Sequence, residues 1–239
     1  MSNKIRQWKD LRDEAFDSIR TSWGVGQGFP EYLIGEVKRQ SALITCVAVA
    51  CHAGTLGTKC RHYARAIPEA LLLSTVMACH GVGNPQMVLL RQSIELALRY
   101  SYFTDHPVEN ELVQTSDNLR QFGYTFLSEY VKKHPRFAAL PSAEIFAQRL
   151  NDVHSKTSRF VHVYNQSFYG FEKQAVSGRL LATAVRDQTA QFEALFPGLV
   201  AVVLCPRVGS RNKMSSLERR FVKQLFLPGY KDDAVALGL

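Results

Sequence analysis

Long hydrophobic runs are missing from this sequence. The longest, 42–51 and 70–79, stop far short of the ~20 residues a membrane-spanning helix needs. The opening MSNKIRQWKDLRDEAF has no apolar stretch that could act as a signal peptide, so the chain is expected to be soluble and to stay in the cytosol. Strand-type alternation is also scarce, which argues against a sheet. Cysteines are few and odd in number (Cys46, Cys51, Cys60, Cys79 and Cys205), with irregular spacing that suits reduced thiols in apolar surroundings. The signatures of common enzyme classes are absent: there is no Gly-x-x-x-x-Gly-Lys, no Gly-x-Ser-x-Gly, no His-Glu-x-x-His and no Cys-x-x-Cys. Gly24, Gly26 and Gly28 follow no strand, so they do not form a dinucleotide-binding turn.

A metal centre is not expected either. Cys51-His52 and Cys60-Arg61-His62 hold ligand types, but zinc ligands usually pair two to four residues apart, and these cysteines are wider spaced. Ala-Cys-His occurs at 50–52 and again at 78–80, each time shortly before a glycine, which reads as a helix C-terminus with a glycine cap.

What the chain does have is apolar material and positive charge. Its 239 residues are 46% hydrophobic, enough for one sizeable core, and 29 Lys and Arg against 21 Asp and Glu leave a net charge of +8. An acidic partner is implied, nucleic acid first among them. The surplus is uneven: Arg207, Arg211, Lys213, Arg219, Arg220 and Lys223 oppose only Glu218 between 207 and 223. The reading is a helical-bundle domain over 1–205 and a basic C-terminal appendage over 206–239 with a short helix.

Apolar residues recur at helical spacing from end to end. Helices are expected over about 3–22, 30–52, 64–80, 85–104, 108–133, 142–164 and 181–196, with a weak one near 214–226. Asn84 and Pro85 open the fourth and Ser142 opens the sixth. The run 199–205 after Pro197-Gly198 continues the preceding helix or forms one short strand, with helix preferred. The fold class is therefore all-α, a multi-helix bundle.

The helix at 85–104 is apolar nearly all round, as a buried central helix should be. Arg91, Glu95 and Arg99 nevertheless form one charged stripe at i, i+4, i+8. On the helix at 142–164, His154, Ser158 and His162 form a second polar line. The two lines are expected to meet in an internal polar seam, either as a structural network or as a site that tunes a histidine for acid–base work. A second constellation overlaps the first. Arg99 and His106 lie about two turns apart and nearly aligned on an unbroken helix. Such a pair suits metal-free RNA cleavage, with the histidine moving protons and the arginine facing phosphate charge.

The stretch MACHGVGNPQMVLLRQSIELALRYSYFTDHPVEN and the later SKTSRFVHVY resemble segments of uncharacterised bacterial all-α proteins. Shared features are Arg-x-x-x-Glu, an aromatic residue, Asp/His-Pro and Ser-x-x-x-His, here Arg91, Glu95, Ser158 and His162. These proteins are similar to the HEPN superfamily of helical bundles, many from abortive-infection, toxin–antitoxin and other phage-defence loci. The resemblance covers about 70–165. It implies an HEPN-like bundle around the helix at 85–104, and a homodimer that brings two copies of an Arg–His pair into one cleft. It also implies a metal-independent endoribonuclease with no cofactor. Arg99 and His106 would be the catalytic pair, supported by Arg91, Glu95, Ser158 and His162, and the basic tail would engage RNA. Tyr100 stands where these nucleases often carry a polar residue. The alternative is a non-catalytic binding or assembly module, an antitoxin-like partner or defence-complex subunit, for which the apolar Phe221, Leu225, Phe226 and Leu227 would form a docking helix. A nucleic-acid-binding protein with no enzymatic role is a third reading.

Overall fold

Among the described residues every regular element is a helix, as the periodicity predicts. The computed structural model describes residues 31–55, 59–79, 83–115, 122–161, 178–206 and 214–239, with the single positions 10 and 14. The rest of the helix expected over 3–22, the glycine-rich stretch after it and most of the loop at 165–178 lie outside them.

The helices are α1 Glu31–Thr55, α2 Arg61–Cys79, α3 Gly83–Asp105, α4 Pro107–Thr115, α5 Tyr124–Lys133, α6 Pro135–Ala138, α7 Ala143–Val161, α8 Gly178–Leu204, α9 Ser216–Lys223 and α10 Lys231–Ala236. Several boundaries differ from expectation: α3 already begins at Gly83, so Asn84 lies inside it and is not its N-cap, and α10 is an additional helix. α1 runs through Ala50-Cys51-His52 and Gly54 to Thr55, so His52 does lie in the last turn, but Gly54 is inside the helix rather than its cap. The single helix expected over 108–133 is two: Gly123 is extended (φ −70°, ψ 166°) and α5 starts after it. α8 continues through Pro197 into 199–204, which settles the strand alternative in favour of helix. Ser142 does stand directly before α7, its carbonyl accepting from the Phe146 amide at 2.9 Å.

α3 packs against α2, α4, α5, α7 and α8, and so occupies the middle of the bundle. It is not enclosed on all sides, because Val88 and Gln92 reach solvent. The most enclosed stretch is the second half of α8, where Leu195, Phe196 and every residue from Leu199 to Cys205 are buried. α8 and α7 approach closely at Gly198, where an added Cβ would come within 3.1 Å of the Phe146 Cβ. Helices meet this tightly only where one side lacks a side chain.

α1 crosses the chain's length to pack on α8. The buried Gln40 amide donates to the Val185 carbonyl at 2.9 Å and to Thr189 Oγ1 at 3.1 Å. The C-terminal segment is built into the same core. Val222, Phe226 and Ala234 are fully buried, and Phe226 meets Phe146 edge-on at 6.4 Å. α9 is closed by a Ser215–Glu218 capping box, and Gly229 (φ 119°) makes the left-handed turn towards α10. Asp233, buried on α10, accepts a hydrogen bond from the Ser142 amide at 2.9 Å and so caps α7 from outside. None of the described helices is long and apolar enough to cross a membrane.

Candidate functional site

Two polar constellations flank α3. The first is the expected seam. Glu95 Oε1 accepts from Arg91 Nε at 2.8 Å and from His154 Nε2 at 3.1 Å, so the charged stripe of α3 meets the polar line of α7 at one carboxylate. The His154 bond, helped by Arg91, overcomes burial and holds the Glu95 carboxyl down to about 2. The His154 ring is 9% exposed and stacks flat on Tyr124, centroids 3.4 Å apart. Burial, with the nearby charges of Asp152 and Glu95, pushes the Tyr124 phenol up to about 12. Ser158 is not part of the seam. Its hydroxyl donates to the His154 carbonyl at 2.7 Å, a bond within its own helix. His162 lies outside the described residues.

The second constellation forms where α3 meets α5. The His106 amide bonds the Tyr102 carbonyl at 3.0 Å, so the hydrogen-bond ladder of α3 reaches His106 although the helix is assigned only to Asp105. His106 Nδ1 lies 2.9 Å from that same carbonyl oxygen. A carbonyl can only accept, so Nδ1 carries the proton in the neutral ring and Nε2 keeps its lone pair. The ring stacks on Tyr102 (4.1 Å, 9°) and meets Tyr130 edge-on at 5.1 Å. Beside it, Asp105 Oδ2 accepts from Tyr130 OH at 2.5 Å and lies 3.2 Å from His134 Nε2. Burial and the Asp105 carboxylate push the Tyr130 phenol far up, so it stays a hydrogen-bond donor.

Arg99 stands two turns before His106 on the same side of α3. Its Nε is buried without a hydrogen-bond partner, and among the described residues no carboxylate comes within ion-pair distance of it. Its charge acts on Tyr63, opposing the rise that burial imposes on that phenol. No hydrogen bond joins Arg99 to His106. The structure therefore joins Arg91, Glu95 and His154 directly, places Arg99 and His106 along one helix face, and leaves Ser158 to its backbone.

Sequence reasoning did not bring in Tyr124, Asp105, Tyr130 or His134. A signal was available for two of them: Tyr130 and His134 lie one turn apart on α5, with His134 at its C-terminal end. Of the basic residues, Lys132 bonds Glu129 at 2.8 Å, Arg136 donates to the Cys205 carbonyl at 3.2 Å, and Lys223 reaches the Leu239 carbonyl. Arg219 is half-buried and Arg220 exposed, whereas Arg207, Arg211 and Lys213 lie outside the described residues. The Cys51 and Cys60 thiols are buried in the core, Cys60 donating to the Phe103 carbonyl at 3.2 Å. Among the described residues no group of three or more His, Cys, Asp or Glu side chains is placed to hold a metal ion. Comparison with family models, curated proteins and solved structures finds no match to the chain.

Proposed function

We propose that the chain is an HEPN-like helical-bundle endoribonuclease that cleaves RNA without a metal ion, in a phage-defence or toxin–antitoxin setting. The observation that carries this reading is the state of the two side chains on α3. Among the described residues Arg99 has no carboxylate within ion-pair distance and its Nε has no hydrogen-bond partner, and His106 has one nitrogen on a carbonyl, which in the neutral ring leaves the other as an acceptor. In the reaction His106 Nε2 takes the proton of the ribose 2′-hydroxyl as that oxygen attacks phosphorus. Arg99 faces the charge gathering on the phosphoryl oxygens. The bond to the 5′-oxygen breaks and an imidazolium returns the proton to it, leaving a 2′,3′-cyclic phosphate and a 5′-hydroxyl end. In a homodimer with two copies of α3 facing one cleft, one His106 serves as base while the other serves as acid. Arg91, Glu95 and His154 support the pair by holding α3 to α7, and the exposed Arg220 is available for phosphate contacts.

The test is cleavage of RNA by the wild type, Arg99→Ala and His106→Ala. A loss of about 100-fold or more in each variant, with cyclic-phosphate ends in the wild-type products, is expected. Unchanged cleavage in both variants removes the pair from the chemistry.

A binding-module reading keeps one observation in its favour: Val108 and Leu112, one turn apart on α4, are 66% and 60% exposed. Of the four residues expected to form a docking helix, Leu225 and Phe226 are buried in this chain's own core, Phe221 is partly buried and Leu227 is exposed. A folded wild type that cleaves no RNA but captures a partner through α4 would favour it.

A further inference from the structure

One large ring near His106 stays half in solvent. Phe126 on α5 is 48% exposed, although it packs edge-on against Tyr102 (5.3 Å) and sits 6.0 Å from Phe122. Tyr102 is the ring on which His106 stacks, so Phe126 and His106 touch the same side chain. Lys133 lies seven residues beyond Phe126, on the same face of α5, exposed and without a hydrogen bond. Of the carboxylates of this region, Glu129 holds Lys132 and Asp105 holds Tyr130 and His134, while Glu109 lies near enough to Tyr102 to act on its phenol.

We infer that Phe126 is the stacking platform for an unpaired nucleobase of single-stranded RNA, seated beside His106, with Lys133 on the adjoining phosphate. The inference rests on the ribonuclease reading and adds to it the strand state of the substrate. A protein helix docking here would need a continuous apolar stripe. Phe126 is a single ring with a histidine and a lysine for neighbours, which matches the face of one base and its phosphate. A duplex keeps its bases stacked inside and offers none to such a ring, whereas a single strand can turn one out. Rings held by Tyr102 and Phe122 are already fixed, so stacking orders little that is not ordered before binding.

The measurement is fluorescence anisotropy with three probes of equal length: a single-stranded RNA, the same backbone lacking bases, and a duplex. It is run on wild type, Phe126→Ala and Phe126→Trp, with cleavage followed in parallel and folding checked by thermal melting. The single strand is expected to bind the wild type at least tenfold tighter than either other probe. Phe126→Ala should lose about tenfold for the single strand alone, and Phe126→Trp should restore it. Equal binding of the base-free backbone, or unchanged binding by a folded Phe126→Ala, overturns the platform, and cleavage that persists leaves the nuclease standing. Base-dependent binding without cleavage overturns the nuclease reading and leaves the platform.

Discussion

Glu95 carries two obligations, to Arg91 and to His154, and both depend on its charge. Its carboxyl titrates well below its ordinary value in the folded state, so the stabilisation it supplies is present above the ordinary carboxylate range. It fades as pH falls towards about 2. Glu95→Gln is expected to cost on the order of 2 kcal/mol at neutral pH. Urea midpoints for wild type and variant should differ at pH 7, begin to converge as pH falls through the ordinary carboxylate range, and draw together only towards pH ~2, where Glu95 is protonated in the folded state as well; a gap that stayed constant with pH would refute the assignment. His154→Ala removes one of the two bonds together with the Tyr124 stack, and about 2–3 kcal/mol should be lost in the same assay.

Helix packing turns on two glycines that sequence treats alike. Gly35 in α1 is exposed, and a Cβ there would meet nothing within 4 Å; Gly198 in α8 faces Phe146 at 3.1 Å. Gly35→Ala should therefore stabilise by roughly 0.5–1 kcal/mol through helix propensity alone. Gly198→Ala gains the same propensity but must push α8 from α7, and a net loss of about 1 kcal/mol or more is expected. Paired thermal melts decide between these signs. The same contrast explains what could be read in advance. The junction of Glu95 with His154 was legible, because each lies in a run of polar residues at one-turn spacing on an otherwise apolar helix. Tyr124 was not, since it comes from a third helix whose start depends on Gly123 breaking what looks like a continuous pattern. Ser158 has the right spacing, yet a short hydroxyl mid-helix satisfies itself on its own backbone. The Arg99–His106 alignment was legible from spacing. Its continuity past Asp105 was not, because Pro107 predicts a frayed end and only the doubly used Tyr102 carbonyl keeps the register.

On the scale of the whole molecule, the basic segment expected as an appendage contributes Val222, Phe226 and Asp233 to the interior. Asp233→Ala leaves the Ser142 amide at the α7 terminus without its acceptor, and the melting temperature should fall in line with about 1–2 kcal/mol. Asp233→Asn keeps an acceptor oxygen and should lose less; equal losses would mean that the carboxylate charge, not the capping bond, matters. The bond from Gln40 to Val185 spans 145 positions in the chain. An up-and-down bundle whose neighbours follow one another can zip locally, whereas here Gln40 of α1, and the cluster that Val37 shares with Val185, must wait for a helix made much later. Closing so large a loop before any contact repays it makes folding slow for an all-helical protein. During synthesis α1 can pack on α2 as soon as that helix has emerged, but the part of its apolar face that meets α8 stays uncovered until α8 is made.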